Sequence, residues 1–406
     1  MLRFLTAGES HGRRLVVIVD GVPAGLHLDV TAITRELRRR QGGYGRGKRM
    51  AIELDTPVVV AGIRHGVSTG APVAITIDNR DWVNWQFTMH TEPNPPDDAR
   101  GARRGPVTRP RPGHADLAGA LKYGHRDLRD VIERSSARET AARVAAGAIA
   151  RQLLGQVAIR LASHVVSIGD VGAPDAVEPS FDQIAAIPDD SATRSVDPAL
   201  QSRMIAAIDA ARDHGDTLGG VFEVVATGVP PGLGSYSQWD RRLDGRLAQA
   251  LMSIPAIKAV GIGIGPDAAR RPGSHAHDAI VRAADAGADL PFARPTNRAG
   301  GVEGGVTNGQ DVRVTAYMKP ISTLMKPLRS VDLVTLDEVE AAIERSDVCA
   351  VPAASMVGEA MVALTLADAV LERFGGDTID DLQRNHAAAA QRLKTRFGPP
   401  AGESGS

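Results

Sequence analysis

The sequence predicts a mixed helix-and-strand fold, either one large α/β unit or two or three subdomains, carrying two pseudo-equivalent halves. Three observations lead there. The chain has 406 residues, too many for one small core. Short strand-like runs alternate with segments of helical pattern. One stretch also occurs twice without a gap: residues 8–26, GESHGRRLVVIVDGVPAGL, lie over residues 215–233, GDTLGGVFEVVATGVPPGL. Gly8, Gly12, Gly21, Val22, Pro23, Gly25 and Leu26 meet Gly215, Gly219, Gly228, Val229, Pro230, Gly232 and Leu233. A helical pattern follows each copy, so the repeated unit reads turn–strand–turn–helix. In this register His11 faces Leu218. If the turn alone dictated that position a leucine would serve, so the imidazole is an addition to one copy of a shared scaffold.

Taken in order, residues 15–22 read as a buried strand and residues 29–41 as a helix. That helix has Ile33 and Leu37 on one face and Asp29 or Thr31 near its cap. It ends in the glycine-rich GGYGRGKRM (42–50), and strands are expected within 51–63 and over 71–78. Residues 93–113 turn to Pro, Arg and Gly, too long for a simple connection, so they read as a mobile stretch or a functional cover. One long helix is expected over 128–154, rich in alanine after Ala141. A strand at 157–171, a helix at 198–216 stopped by Gly215, a strand at 219–229 and a helix at 240–252 follow. A strand at 311–320 and helices at 335–345 and 353–375 complete the pattern. The polar, Gly/Ser-rich segment 394–406 is expected to be a loose tail on a single unit spanning 1–393.

Composition excludes several functions. The net charge of −1 and the 3% aromatic content argue against a nucleic-acid binder. No run of eighteen apolar residues suggests a membrane span. MLRFLTAGES reaches glycine and glutamate too early for a secretory signal, and Cys349 is the one cysteine, so a reducing cytoplasm is the expected compartment. Zinc bound through thiolates is excluded too, and His275, His277 and Asp278 lack an evident further ligand, so no metal is expected. A P-loop is absent, and GIGIG (261–265) lacks the spacing of a dinucleotide fingerprint.

What remains is anion chemistry. Six lysines among 47 basic residues leave 41 arginines. A GC-rich coding sequence accounts for most of that excess, so only the clusters carry meaning. Arg40, Arg46 and Arg49 surround the glycine loop; Arg111 lies in TRPRPGH, Arg134 and Arg138 share a helix face, and Arg345 ends AIERSD. Singly, each reads as a solvated surface charge. Together, in loops where backbone can approach a ligand, they suit a small substrate bearing phosphate and carboxylate. His11 and His114 sit at ordered junctions where an imidazole can act as acid or base. Asp347 is a further acid–base candidate, with an N-cap or ion-pair role as its commoner fate. The glycine-dense TNRAGGVEGGVTNGQ (296–310) would suit a phosphate or a flat ring, or be a flexible hairpin loop.

GESHG (8–12), RRRQGGYGRGKRM (38–50), RPGHADLAGALKYG (111–124), ERSSARETAARVAAGAIA (133–150), TNRAGGVEGGVTNGQ, MKPISTL (318–324) and RSDVCAVPAASMVGEAM (345–361) together resemble the chorismate synthase family. The resemblance runs from Met1 to about Gly376, leaving residues 80–105 and 170–200 without matched residues. It implies an α+β fold, a β-α-β sandwich of antiparallel sheets around helices, assembled as a homotetramer. It implies a lyase that eliminates phosphate and a ring proton from opposite faces of 5-enolpyruvylshikimate 3-phosphate to give chorismate, with reduced FMN. Arg40, Arg46, Arg49, Arg111, Arg138 and Arg345 then match substrate-binding arginines. His11 matches the histidine that protonates the departing phosphate, His114 the histidine beside the flavin, and Asp347 the acid near flavin N5. Ser135, Ser136, Ala137, Ala256, Ile257, Gly304, Lys319, Pro320, Ile321, Ser322, Thr323 and Arg345 match FMN contacts, and Arg40 and Arg46 also serve NADPH if the chain reduces its own flavin. An external flavin reductase is the other source of electrons. The alternative reading is an NADPH-dependent flavin reductase performing a net reduction.

Overall fold

A computed structural model describes residues 1–47, 54–93, 99–172, 178–283, 290–344 and 346–398. The alternation of apolar residues in RLVVIVD and VAITID sets the first sheet: Leu15, Val17, Val19, Val73, Ile75 and Ile77 are buried and their neighbours face outward. Its strands are β1 (Arg3–Ala7), β2 (Arg14–Asp20), β3 (Pro57–Ala61) and β4 (Val73–Asp78), antiparallel throughout, in the order β1-β2-β4-β3. The second sheet uses β5 (Arg160–Ile168), β6 (Gly220–Thr227), β7 (Ile257–Ile262) and β8 (Val312–Met318). It is also antiparallel, in the order β7-β8-β6-β5, with Val171–Gly172 outside β5. Read from the other edge, β5-β6-β8-β7 repeats the order of the first sheet.

The glycines shared by the two copies of the repeated stretch have shared conformations. Gly21 and Gly228, at φ +86° and +74°, each put the position of a Cβ within 2.3 Å of a carbonyl oxygen at the head of the adjoining strand, Met1 and Ala158 respectively. Only glycine fits both the dihedral and the approach.

The helices of seven or more residues, in chain order among the described residues, are α1 (Val30–Gln41), α2 (Asp116–Tyr123), α3 (Arg129–Ser135), α4 (Thr140–Gly155), α5 (Pro198–Asp213), α6 (Leu243–Met252), α7 (Val351–Phe374) and α8 (Ile379–Phe397). Asp29 caps α1 by accepting from the Thr31 N–H at 2.8 Å, and Ile33 and Leu37 are buried as the pattern requires. Helices α4 and α7 form the centre: α4 packs on β2, α7 on β5 and β6, and the two on each other. By length and composition α7 could cross a membrane, but it is the buried core helix of this fold.

Small residues allow that close crossing. A Cβ on Gly147 would lie 2.3 Å from Ala360 Cβ and 2.5 Å from Ala360 Cα. Gly147→Val is therefore expected to lower unfolding stability by about 1–3 kcal/mol, read as a shifted denaturant midpoint. An unchanged midpoint would mean the helices separate at no cost.

Two expected helices are corrected. The segment 128–154 is not one helix: Ser136 is extended, at φ −64° and ψ 145°, and a short 3-10 turn, Ala137–Glu139, precedes α4. The break is stabilised by the Ser136 hydroxyl, which accepts from the Arg138 N–H, and by the buried partners of the Arg138 side chain described below. Residues 335–345 are not helical over their described part. Glu338–Glu340 instead pairs antiparallel with Arg329–Val331. Asp332 accepts from the Val334 and Thr335 N–H groups, and Leu336 at φ +63° turns the chain back. Helix α8, whose N-cap is Thr378, extends through Phe397 and takes in 394–397 of the segment expected to be loose; residues 399–406 lie outside the described residues.

Candidate functional site

The first repeated turn is made by glycine and then buttressed. Gly8 has φ +107°, and a Cβ there would lie 2.4 Å from the Arg14 carbonyl oxygen. Arg134 donates to the Gly8 carbonyl at 3.0 Å and to the Thr6 carbonyl at 3.0 Å, so it braces the turn. The Ser10 N–H reaches the Glu133 carbonyl at 2.9 Å, and the His11 N–H reaches Glu133 Oε2 at 2.7 Å. His11 Nδ1 lies 2.8 Å from Glu133 Oε1, and its ring stacks on Trp85 with centroids 3.8 Å apart. Glu133 is buried, so a carboxylate and an aromatic face define the imidazole's orientation. The Pro/Arg segment returns over the same place, with Arg104 4.0 Å from the Trp85 ring centroid.

Asn79 links this turn to the arginines. Its amide nitrogen donates to the Gly12 carbonyl at 2.6 Å and to the Glu9 carbonyl at 3.1 Å, and its Oδ1 accepts from Arg138 Nε at 2.9 Å. Arg138 Nη1 donates to Asp55 Oδ1 at 2.6 Å. Arg40 lies on the other side of that carboxylate, with Nη1 3.7 Å from Asp55 Oδ2, and is held by Thr140 Oγ1 and the Ala137 carbonyl, each at 2.9 Å. Burial pulls the Arg40 pKa down to about 10; Asp55 opposes this, and Arg138 and Arg46 add to it. It remains a cation at neutral pH, in a setting that favours a further anion.

Arg46 donates to Asp347 Oδ2 at 2.6 Å, and the Gly47 N–H to Oδ1 at 2.7 Å. This pair is held by the second copy of the turn. The Val348 N–H meets the Gly45 carbonyl, and the Leu218 N–H meets the Val348 carbonyl, both at 2.8 Å. Leu218, which stands opposite His11 in the repeat, thus reaches this pair through its backbone, while its side chain packs against the core.

A second group forms around His114. Arg111 donates through Nε to Asp116 at 2.8 Å and through Nη1 to Thr323 Oγ1 at 2.9 Å; its Nη2 lies 3.1 Å from His114 Nδ1. His114 Nδ1 also meets Asp116 Oδ1. Burial alone would raise the Asp116 carboxyl; hydrogen bonds from His114 and Arg111, and the charge of Arg111, override it and hold the group well below the carboxylate range. The Lys319 ammonium donates to the Gly113 carbonyl and to Ser322 Oγ, and the Lys319 N–H reaches the Ala256 carbonyl at 2.9 Å. Thr217, in the second turn, donates to the Ile321 carbonyl at 2.7 Å. That turn therefore touches both groups.

The structure brings His11, Ser136, Ala137, Arg40, Arg138, Arg46 and Asp347 into one linked set. It brings Arg111, His114, Ala256, Ile257 and Lys319 to Thr323 into a neighbouring one. The Arg111 guanidinium fastens the His114 loop to Thr323. Ser135 spends its hydroxyl on the Val131 carbonyl. Among the described residues the hydrogen bonds of the Gly304 hairpin include those to Pro230, Gly232, Leu233, Leu243 and Arg294, and none of these residues belongs to either set. Arg49 and Arg345 lie outside the described residues. Asp278 accepts from the Arg298 and Ala299 N–H groups at 2.9 Å each, so it shapes the 296–310 loop. Sequence reasoning missed Glu133, Asp55, Asn79 and Trp85, which have no local signature. Asp116, two residues after His114, was available as a local signal.

A cleft of about 720 Å³ lies elsewhere, lined in part by Arg39, Arg151 and Arg194, and contains none of these residues. Paired titratable groups, rather than volume, locate the candidate site.

The family model for chorismate synthase matches residues 2–371. A chorismate synthase of Moorella thermoacetica is 58% identical over 394 residues, covering 97% of this chain and 100% of that protein. One of Desulforudis audaxviator is 56% identical over 394 residues, covering 97% and 98%. A crystal structure of chorismate synthase superposes with a TM-score of 0.76 at 40% identity, covering 97% of this chain and 98% of that one.

Proposed function

This chain belongs to the chorismate synthase family and is a phosphate-eliminating lyase of aromatic amino acid biosynthesis, and from that premise we propose how its residues act. The substrate is 5-enolpyruvylshikimate 3-phosphate and the product chorismate. The observation that carries the reading is His11, oriented by Glu133 and linked through Asn79 to the buried Arg138–Asp55–Arg40 group.

Among the described residues, Arg40, Arg46 and Arg138 gather around Asp55 and Asp347. Such a set of guanidiniums suits a polyanion carrying two carboxylates and a phosphate, joined by Arg49 and Arg345. Forked guanidiniums hold such groups in two-pronged contacts. His11, with Nδ1 committed to Glu133, offers Nε2 to the phosphate as general acid. Asp347, set by Arg46 and the Gly47 amide, accepts the ring proton. Arg111 serves the substrate indirectly, by fixing His114.

The chain's residues fit a flavin mononucleotide. A Cβ on Gly113, at φ +78°, would lie 3.2 Å from Lys319 Nζ and 3.3 Å from Ser322 Oγ, so glycine keeps a cationic, hydroxyl-lined cradle open. Lys319 to Thr323, Ala256, Ile257, Gly304, Arg345 and the Ser135–Ser136–Ala137 bend would hold it. Reduced FMN, when bound, supplies electron density to the reacting ring. His114 holds a proton beside it through the Asp116 contact. Replacing Asp116 by asparagine is expected to lower kcat by about 10-fold or more and to shift the pH–rate profile; an unchanged profile would remove His114 from proton handling.

The sheets and helices support a β-α-β sandwich with pseudo-duplicated halves, since both sheets follow one strand order and flank α4 and α7. We assign the chain to the cytoplasm as a homotetramer. NADPH, bound at Arg40 and Arg46, or an external flavin reductase supplies electrons. An anaerobic assay with FMN and either dithionite or NADPH tests this. One phosphate released per product, without net consumption of reductant, is expected; reductant consumed in proportion to turnover with no phosphate would identify a flavin reductase instead.

A further inference from the structure

The cleft of about 720 Å³ is lined by arginines and by the apolar side chains of Phe181, Ile184 and Ile187. Its arginines are largely neutralised. Arg35 pairs with Asp189 at 2.7 Å, Arg39 with Glu36 at 2.7 Å and Glu359 at 3.1 Å, Arg151 with Glu359, and Arg160 with Asp182 at 4.0 Å. Arg194 is the fifth guanidinium against four carboxylates among the described residues. Its side chain is 4% exposed, and the nearest carboxylate oxygen, Glu359 Oε1, is 3.8 Å away, beyond hydrogen-bond reach. Only Nη2 is used, donating to the Ser163 carbonyl at 3.1 Å, while Nε and Nη1 have no hydrogen-bond partner. An arginine backbone at φ +58°, in the left-handed region that L side chains disfavour, holds the group there. Buried donors left unpaired are expensive, and a bound anion would relieve that cost.

We propose that this cleft binds a small monocarboxylate with an apolar or aromatic body, its carboxylate against Arg194 and its body against Phe181, Ile184 and Ile187. Among the described residues the cluster carries one net positive charge, which matches one negative charge. A phosphate dianion would leave the cleft with a net negative charge and find no use for the apolar wall. The site is separate from the His11 and His114 groups and does not depend on their assigned roles.

Titration calorimetry with phenylpropanoate as probe, against propanoate and inorganic phosphate, tests the proposal on the full chain. Phenylpropanoate is expected to saturate one site per chain and to bind at least about tenfold more tightly than either comparison anion. Arg194→Asn removes the charge while tolerating the left-handed backbone, and should weaken binding at least about tenfold. Ile187→Glu, which leaves Arg194 in place, should do the same by repulsion. Absence of saturable binding, phosphate binding as tightly as phenylpropanoate, or affinity unchanged in either folded variant would overturn the proposal.

Discussion

Replacing His11 with alanine is expected to lower kcat by ~10²–10⁴-fold, while flavin affinity changes little. The loss falls on phosphate departure, because that is where a proton must arrive as the carbon–oxygen bond breaks. The geometry sharpens the prediction. His11 is held by its own N–H and by Nδ1 against the two oxygens of Glu133, at 2.7 and 2.8 Å, and by the face of Trp85. Glu133→Gln keeps the shape but alters the proton-bearing nitrogen and should fall between wild type and His11→Ala. Phosphate release measured in a single turnover, alongside an FMN titration, separates the effects. An equal loss of both would show that His11 is part of the flavin site and not the acid.

The largest effect on stability is expected at Glu359. Arg39 reaches it at 3.1 Å, Ser163 donates to it at 2.8 Å, and Arg151 and Arg194 converge from the other side. Removing the carboxylate leaves buried guanidiniums without their shared counter-charge. Glu359→Ala should therefore cost ~3–5 kcal/mol. Burial would raise the Glu359 pKa, but the charges of Arg39, Arg151 and Arg194 override it and bring it to about 2, against an ordinary 4.5. A depressed acid stabilises the fold fully above its unfolded value, so this contribution is present above about 4.5 and is lost as pH falls toward 2. Urea midpoints of wild type and Glu359→Gln from pH 7 down to 3 provide the check. Wild type should lose stability on the acid limb, and the variant should lose less. A Glu359→Ala variant as stable as wild type at pH 7 would refute the assignment.

Much of the scaffold is legible in the residues because it depends on local rules. Asp29 caps α1, the alternation in β2 and β4 selects one inward face, and repeated glycines force the same backbone in both copies of the turn. The failures are equally physical. The alanine-rich pattern over 128–154 favours helix throughout, yet the break at Ser136 accompanies an ion pair from Arg138 to Asp55, 83 residues away. The acidic segment after Asp332 has helical spacing, but side-chain bonds to its own backbone and a pairing with Arg329–Val331 override that preference.

By itself the sequence determined the recurring glycines and their backbone, much of the helix and strand pattern of the core, and the family to which the chain belongs. Only the tertiary structure decided that Glu133 holds His11, that Asp55 gathers Arg40 and Arg138, that Arg111 fastens a loop, and that Arg194 is buried with two of its donors unpaired. The reason is range. Capping, periodicity and glycine dihedrals act between neighbours along the chain, whereas the partner of a buried charge is whatever group the fold brings within a few ångströms of it.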